Sequence, residues 1–236
     1  MTLLSEIDRT ITATPSLWWL GRSGFVVRFA SITFYIDPCF TELLLSPAHV
    51  NHADMILATS AQQVDASIAT MLDASKRAKL ILPKSATGAA QAAGIPYDRM
   101  TTTDAGLRIE YFKDNLYSRV YSAPSSLSWT PAGGYPSLGY LIRFGRWTIY
   151  HAGSCAPYEG LADRLRPFNV SVALLPIGDA NFSSAEAAKL ASDIGAAWLV
   201  PYGTREPSFL EHLLGHCPEQ RFKVFHPGEG WTVPEE

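Results

Sequence analysis

Cysteine is scarce in this chain. Three occur in 236 residues, Cys39, Cys155 and Cys217, far apart and with no C-x-x-C pair, so a reducing compartment is expected. Runs of positive charge are missing too: no cluster of four or more Lys or Arg occurs, and the formal net charge is −3. That argues against a nucleic-acid-binding stripe or a polybasic membrane anchor. No apolar run could span a bilayer, since the longest uncharged stretch, 120–142, holds three prolines, three glycines and five serines. Glu6, Asp8 and Arg9 arrive before an apolar run can form, and no signal peptide is read. P-loop, strand-following G-x-G-x-x-G and G-x-S-x-G motifs are all lacking. The expectation is a cytoplasmic protein with neither a nucleic-acid nor a membrane partner.

What is present suits a globular fold. The chain is 47% hydrophobic and 17% charged, a composition that fits a single domain over residues 1–236. Self-comparison is the most informative reading. Residues 24–35 read GFVVRFASITFY and residues 139–150 read GYLIRFGRWTIY, with Gly, Arg, Phe, Thr and Tyr recurring without a gap. Each copy has the pattern of a β-hairpin, turning at Ala30-Ser31 and at Gly145-Arg146.

The echo continues along each half. Met55-Ile56-Leu57 and Val172-Ala173-Leu174-Leu175 are short strand-like runs, each followed by a polar turn and a helix. Val64, Ile68, Met71 and Leu72 give the first helix one apolar face. The second opens on the capping box Ser183-x-x-Glu186 and closes at Gly195. Leu80-Ile81-Leu82-Pro83 and Trp198-Leu199-Val200-Pro201 follow as strands. Two similar halves of this kind predict an α+β fold, two sheets face to face with helices outside, and a pocket where the strand-end loops gather.

The motifs Trp19-Leu20-Gly21-x-x-Gly24-Phe25, Ile36-Asp37-Pro38, Ala53-Asp54-Met55-Ile56-Leu57, Tyr150-His151-Ala152-Gly153 and Leu174-Leu175-Pro176-Ile177-Gly178 stand in series. In order and spacing the chain resembles the metallo-β-lactamase superfamily, in particular the metal-dependent hydrolase branch that includes ascorbate-phosphate lactonases. The resemblance implies a four-layer αββα sandwich. It also implies one or two metals held by a His-x-His-x-Asp-His loop. At the matching positions this chain has Ser60, Gln62, Val64 and Asp65. A register shifted by one residue would make Asp65 the family's aspartate. Ser154 stands where the bridging aspartate belongs, no histidine occurs near Ala123-Pro124-Ser125, and Val200-Pro201-Tyr202-Gly203 stands where the resemblance implies Pro-x-His with the final histidine.

Zinc wants three imidazole, thiolate or carboxylate ligands around an open position. Of the matched positions only Asp65 supplies one. The sequence therefore predicts no metal and no cofactor, and a former metal site lined by Ser60, Gln62, Asp65, Ser154 and Tyr202. The expected function is non-hydrolytic, the binding of a small molecule or an interaction role. The alternative is a lactone- or ester-type hydrolase using an atypical metal or Cys155, which lies four residues after His151. His49-x-x-His52 and His226 read as loop and turn residues. His212 and His216 share a helical face beside Cys217, a conceivable zinc site at a fraying helix end. The segment 122–137, with Trp129 and Tyr135, reads as a long loop able to wall a pocket.

Overall fold

The structure is a computed structural model that describes residues 2–131, 133–178, 180–203, 215 and 217–235. The first half runs α1 (Leu3–Arg9), β1 (Ser16–Gly21), β2 (Gly24–Phe29), β3 (Ile32–Ile36), β4 (Met55–Leu57), α2 (Ala66–Ala74), β5 (Lys79–Pro83), α3 (Thr87–Ala92) and β6 (Met100–Thr103). The second runs β7 (Arg108–Lys113), β8 (Leu116–Pro124), β9 (Leu138–Phe144), β10 (Trp147–His151), α4 (Leu161–Leu165), β11 (Val172–Ile177), α5 (Ser184–Asp193) and β12 (Trp198–Gly203), followed by β13 (Gly230–Thr232).

Two mixed sheets result, of order β13-β1-β2-β3-β4-β5-β6 and β12-β11-β10-β9-β8-β7. Both faces of β1–β4 and β9–β11 are covered, so these strands read as nearly continuous apolar runs instead of alternating ones. One core, including Phe25, Phe34, Tyr140, Ile142 and Leu174, lies between the sheets. A second packs α2 and α3 onto the first sheet, and a third packs α4 and α5 onto the other. These are the four layers expected. No helix among the described residues is long and apolar enough to cross a membrane.

The repeat is visible in the register. Arg28 faces Thr33 across the first hairpin, and Arg143 faces Thr148 across the second. Both hairpins turn with a residue at positive φ, Ala30 at 50° and Gly145 at 55°, which suits a tight two-residue connection. Each hairpin then feeds two parallel strands, β3 to β4 and β5, and β10 to β11 and β12. Gly24 and Gly139 share a further property. A Cβ on Gly24 would meet Asp37 O at 3.0 Å, and one on Gly139 would meet His151 O at 2.9 Å. In both halves only glycine lets the hairpin's first strand lie this close to the end of its second.

Local signals acted as read. The Ser183–Glu186 capping box forms, and Gly195 follows the last turn of α5 at φ 66°. The long loop is shorter than expected, because Ser122, Ala123 and Pro124 complete β8 by pairing with β9.

Candidate functional site

The parallel strands β3, β4, β10, β11 and β12 all point their C-terminal ends to one side of the molecule. Loops at such ends can form a crevice, because the strands stop while the chain must turn. A cleft of about 450 Å³ opens there, between the halves. The β1–β2 turn supplies Arg22 and Ser23 to its wall, Gln63 comes from the turn after β4, Ser154 from the loop after β10, and Tyr202 from β12.

Beneath it lies a buried network. The two oxygens of Asp37 accept from the Thr59 amide at 2.7 Å and the Thr59 hydroxyl at 2.6 Å, and the Ser23 side chain also favours the charged form of this carboxyl. Burial nevertheless pushes the Asp37 carboxyl up to about 7, against the lowering effect of those bonds. Nδ1 of His151 accepts from the Gly153 amide at 3.1 Å, so its ring proton sits on Nε2 and is donated to Ser23 O at 2.9 Å. With both nitrogens occupied and the ring fully buried, burial brings His151 down to about 4. Tyr202 stacks on that ring at 5.0 Å and donates its hydroxyl to Gly153 O at 2.7 Å. Gly153, at φ 66°, leaves no room for a side chain: a Cβ would lie 2.8 Å from Leu138 O.

The five residues read from the sequence are separated. Ser154 and Tyr202 line the cleft. Ser60 is buried in a bridge to Ser137, and its hydroxyl has no hydrogen-bond partner. Gln62 faces solvent, and its neighbour Gln63 lines the cleft instead, because Ala61–Gln63 form a tight 3-10 turn. Asp65 is the N-cap of α2, accepting from the Ser67 amide at 2.8 Å and from the Ser67 hydroxyl.

Other candidates resolve as follows. Cys155 is fully buried in the core behind the second sheet, and burial pushes its thiol up to about 12. His151 lies on the opposite side of that sheet, against Phe25, so the two do not form a nucleophile pair. Trp129 and Tyr135 contact each other at 5.0 Å and do not wall this cleft. His52 is exposed, 4.0 Å from Asp8, and His226 sits in a turn capped by Glu229. His212 and His216 lie outside the described residues. Among the described residues, no three His, Cys, Asp or Glu side chains group in a way that could hold a metal ion.

Sequence reading missed Asp37 as a buried acid and missed Arg22, Glu42 and Asn181 in the wall. Arg22 occupies one of the unassigned positions in the quoted Gly21-x-x-Gly24 motif, and Asp37 stands within Ile36-Asp37-Pro38. The signals were present as motif positions without a chemical role.

No family model matches the sequence. Among curated proteins, the chain is 27% identical over 175 residues to a UPF0173 metal-dependent hydrolase of Pyrobaculum calidifontis, covering 68% of this chain and 70% of that one. It is 25% identical over 233 residues to one of Nitratidesulfovibrio vulgaris, covering 91% and 94%. Among solved structures, Igni18, a metallo hydrolase from Ignicoccus hospitalis, superposes with a TM-score of 0.73 at 18% identity, over 94% of this chain and 100% of that one. The metallo-β-lactamase fold protein YhfI from Bacillus subtilis gives 0.67 at 13%, over 92% and 99%. Sheet order, sandwich layers and these superpositions show that the chain has the metallo-β-lactamase fold, and in sequence it is similar to UPF0173 metal-dependent hydrolases.

Proposed function

We propose that this protein binds a small molecule in the strand-end cleft and does so without a catalytic metal or hydrolysis. One observation carries the reading. Where the resemblance calls for Pro-x-His with a metal-ligating histidine, the chain reads Pro201-Tyr202-Gly203: Gly203 has no side chain to offer, and Tyr202 spends its hydroxyl on Gly153 O and its ring on His151. The surrounding groups support it. Ser154 and Gln63 in the wall are neutral oxygen and amide groups, Ser60 and Gln62 lie off the cleft, Asp65 is engaged at a helix end, and both oxygens of Asp37 accept hydrogen bonds. This donor set does not fit a transition metal, which prefers imidazole, thiolate or several carboxylates. What remains is a preformed polar cleft resting on rigid strands, the ordinary setting of a small-molecule site. The absence of a basic stripe favours a small ligand over nucleic acid or a membrane.

A second reading, a lactone- or ester-type hydrolase using an atypical metal, is favoured by the name that its relatives carry, metal-dependent hydrolase. Cys155 lends it no support, because its buried thiol does not reach the cleft. Elemental analysis of untagged protein purified without chelator, followed by calorimetric titration with zinc and manganese, separates the two. The binding reading expects no stoichiometric metal and no turnover of lactones or esters. About one equivalent of metal, lost in Asp37→Asn or Asp65→Ala together with measurable hydrolysis, would establish the hydrolase. Metal lost on His212→Ala instead would point to the C-terminal histidines.

A further inference from the structure

We propose that Arg22 is the anion anchor of the cleft, receiving the single carboxylate or phosphate group of a small polar ligand. The proposal rests on the reading of this cleft as a binding site and names the class of molecule it takes.

The position of Arg22 is built, and its side chain has no partner among the described residues. The backbone stands at φ 48°, in the left-handed region, directly after Gly21 at φ 95°. A long L-residue is disfavoured there, and such outliers gather where function holds them. The Trp19 indole pins the turn by donating to Arg22 O at 3.0 Å. Arg22 is exposed at the cleft wall, and its guanidinium makes no hydrogen bond or ion pair among the described residues. Glu42 lines the same cleft, yet its carboxylate folds over Gly21, where a Cβ would clash with Oε2, and forms no ion pair with Arg22. A permanently charged, planar fork with five donors suits a carboxylate or phosphate held through two bonds.

The rest of the wall sets the ligand's other features. Gln63, Ser154 and Asn181 offer amide and hydroxyl groups, which suit hydroxyls or amides on the ligand body. Among the described lining residues Arg22 is the one cation and Glu42 the one carboxylate. That pairing fits one anionic group and disfavours a second.

The test is an NMR titration of isotope-labelled protein at low ionic strength with four probes: gluconate, glycerol 3-phosphate, and their neutral counterparts glucitol and glycerol. Saturable shifts of the Trp19 indole and the Ser154 amide are expected with one or both anions below about 50 mM, and not with the polyols. Arg22→Gln should weaken the response about tenfold or more, and Arg22→Lys, which keeps the charge but not the fork, should recover part of it. A response to one anion alone identifies the group as carboxylate or phosphate. Polyol binding undiminished in Arg22→Gln would overturn the anchor while leaving the cleft as a neutral-ligand site. Absence of saturable shifts with both anions, or shifts confined to Lys76 and Arg77 on a separate surface, would also overturn it. Metal-dependent hydrolysis by a protein that still loses anions on Arg22→Gln would defeat the metal-free reading and leave the anchor standing.

Discussion

Asp37 and His151 meet on one residue. The Ser23 side chain favours the charged form of the Asp37 carboxyl, and the Ser23 carbonyl takes the Nε2 proton of His151 at 2.9 Å. The two groups have been shifted in opposite directions by the same burial, Asp37 up to about 7 and His151 down to about 4.

Their effects on stability oppose each other. Asp37 holds its proton more tightly folded than unfolded, so its contribution is full at low pH and is lost as pH rises from about 4 through 7. His151 binds its proton more weakly when folded, so its contribution is lost as pH falls from about 6.5 through 4. Each slope is about 1.4 kcal/mol per pH unit where only one state is protonated. Between pH 4 and 6.5 the two nearly cancel. Asp37→Asn should leave stability rising with pH over that window, and His151→Gln should leave it falling. Urea denaturation at half-unit pH intervals measures both slopes. Parallel curves for the three proteins would refute the opposition.

Ser60 buries a hydroxyl without a hydrogen-bond partner. Replacing it with alanine removes that desolvation cost and leaves only a small void. Ser60→Ala should therefore raise stability by about 1 kcal/mol, read as a shift in urea midpoint at unchanged slope.

Glycine relieves the left-handed backbone at Arg22. Arg22→Gly should gain about 1 kcal/mol in stability, because the side chain gives up no described contact and the strain of φ 48° disappears. Thermal denaturation checks it. A loss of stability would mean that the guanidinium contributes to the fold.

The repeated arginines should differ sharply. Arg28 is buried and donates to Thr10 O, Asp8 O and the Thr33 hydroxyl, tying the end of α1 to the sheet. Arg143, its counterpart, is half-buried and, among the described residues, donates to Gly145 O alone. Arg28→Ala should cost about 3 kcal/mol or more and Arg143→Ala under about 1. Equal losses would contradict this division.

The repeat was legible because Arg28, Thr33, Gly24 and their partners 115 residues on are fixed by hairpin register and close backbone approach, both strictly local demands. The site was harder to read. Strand alternation ends at His151, and Gly153, at positive φ, turns the chain, so parity could not be carried on to Cys155. A 3-10 turn put Gln63 in the wall in place of Gln62. Asp65, placed directly before Ala66, obeyed a helix-capping preference that was as visible in the sequence as any metal motif. Arg22 and Asn181 come together only through the folded loops.

The inner face of each sheet is covered chiefly by the other sheet, and β13 returns from the second half to pair with β1, where Ser16 and Thr232 join hydroxyls at 2.9 Å. Repetition in two halves therefore does not translate into independent foldons. Either half released alone would expose its whole apolar lining, so opening one means opening both. Slow amide exchange at Val27 and Ile142, central residues of matching strands, should report one shared opening free energy, making the duplicated chain a single cooperative unit.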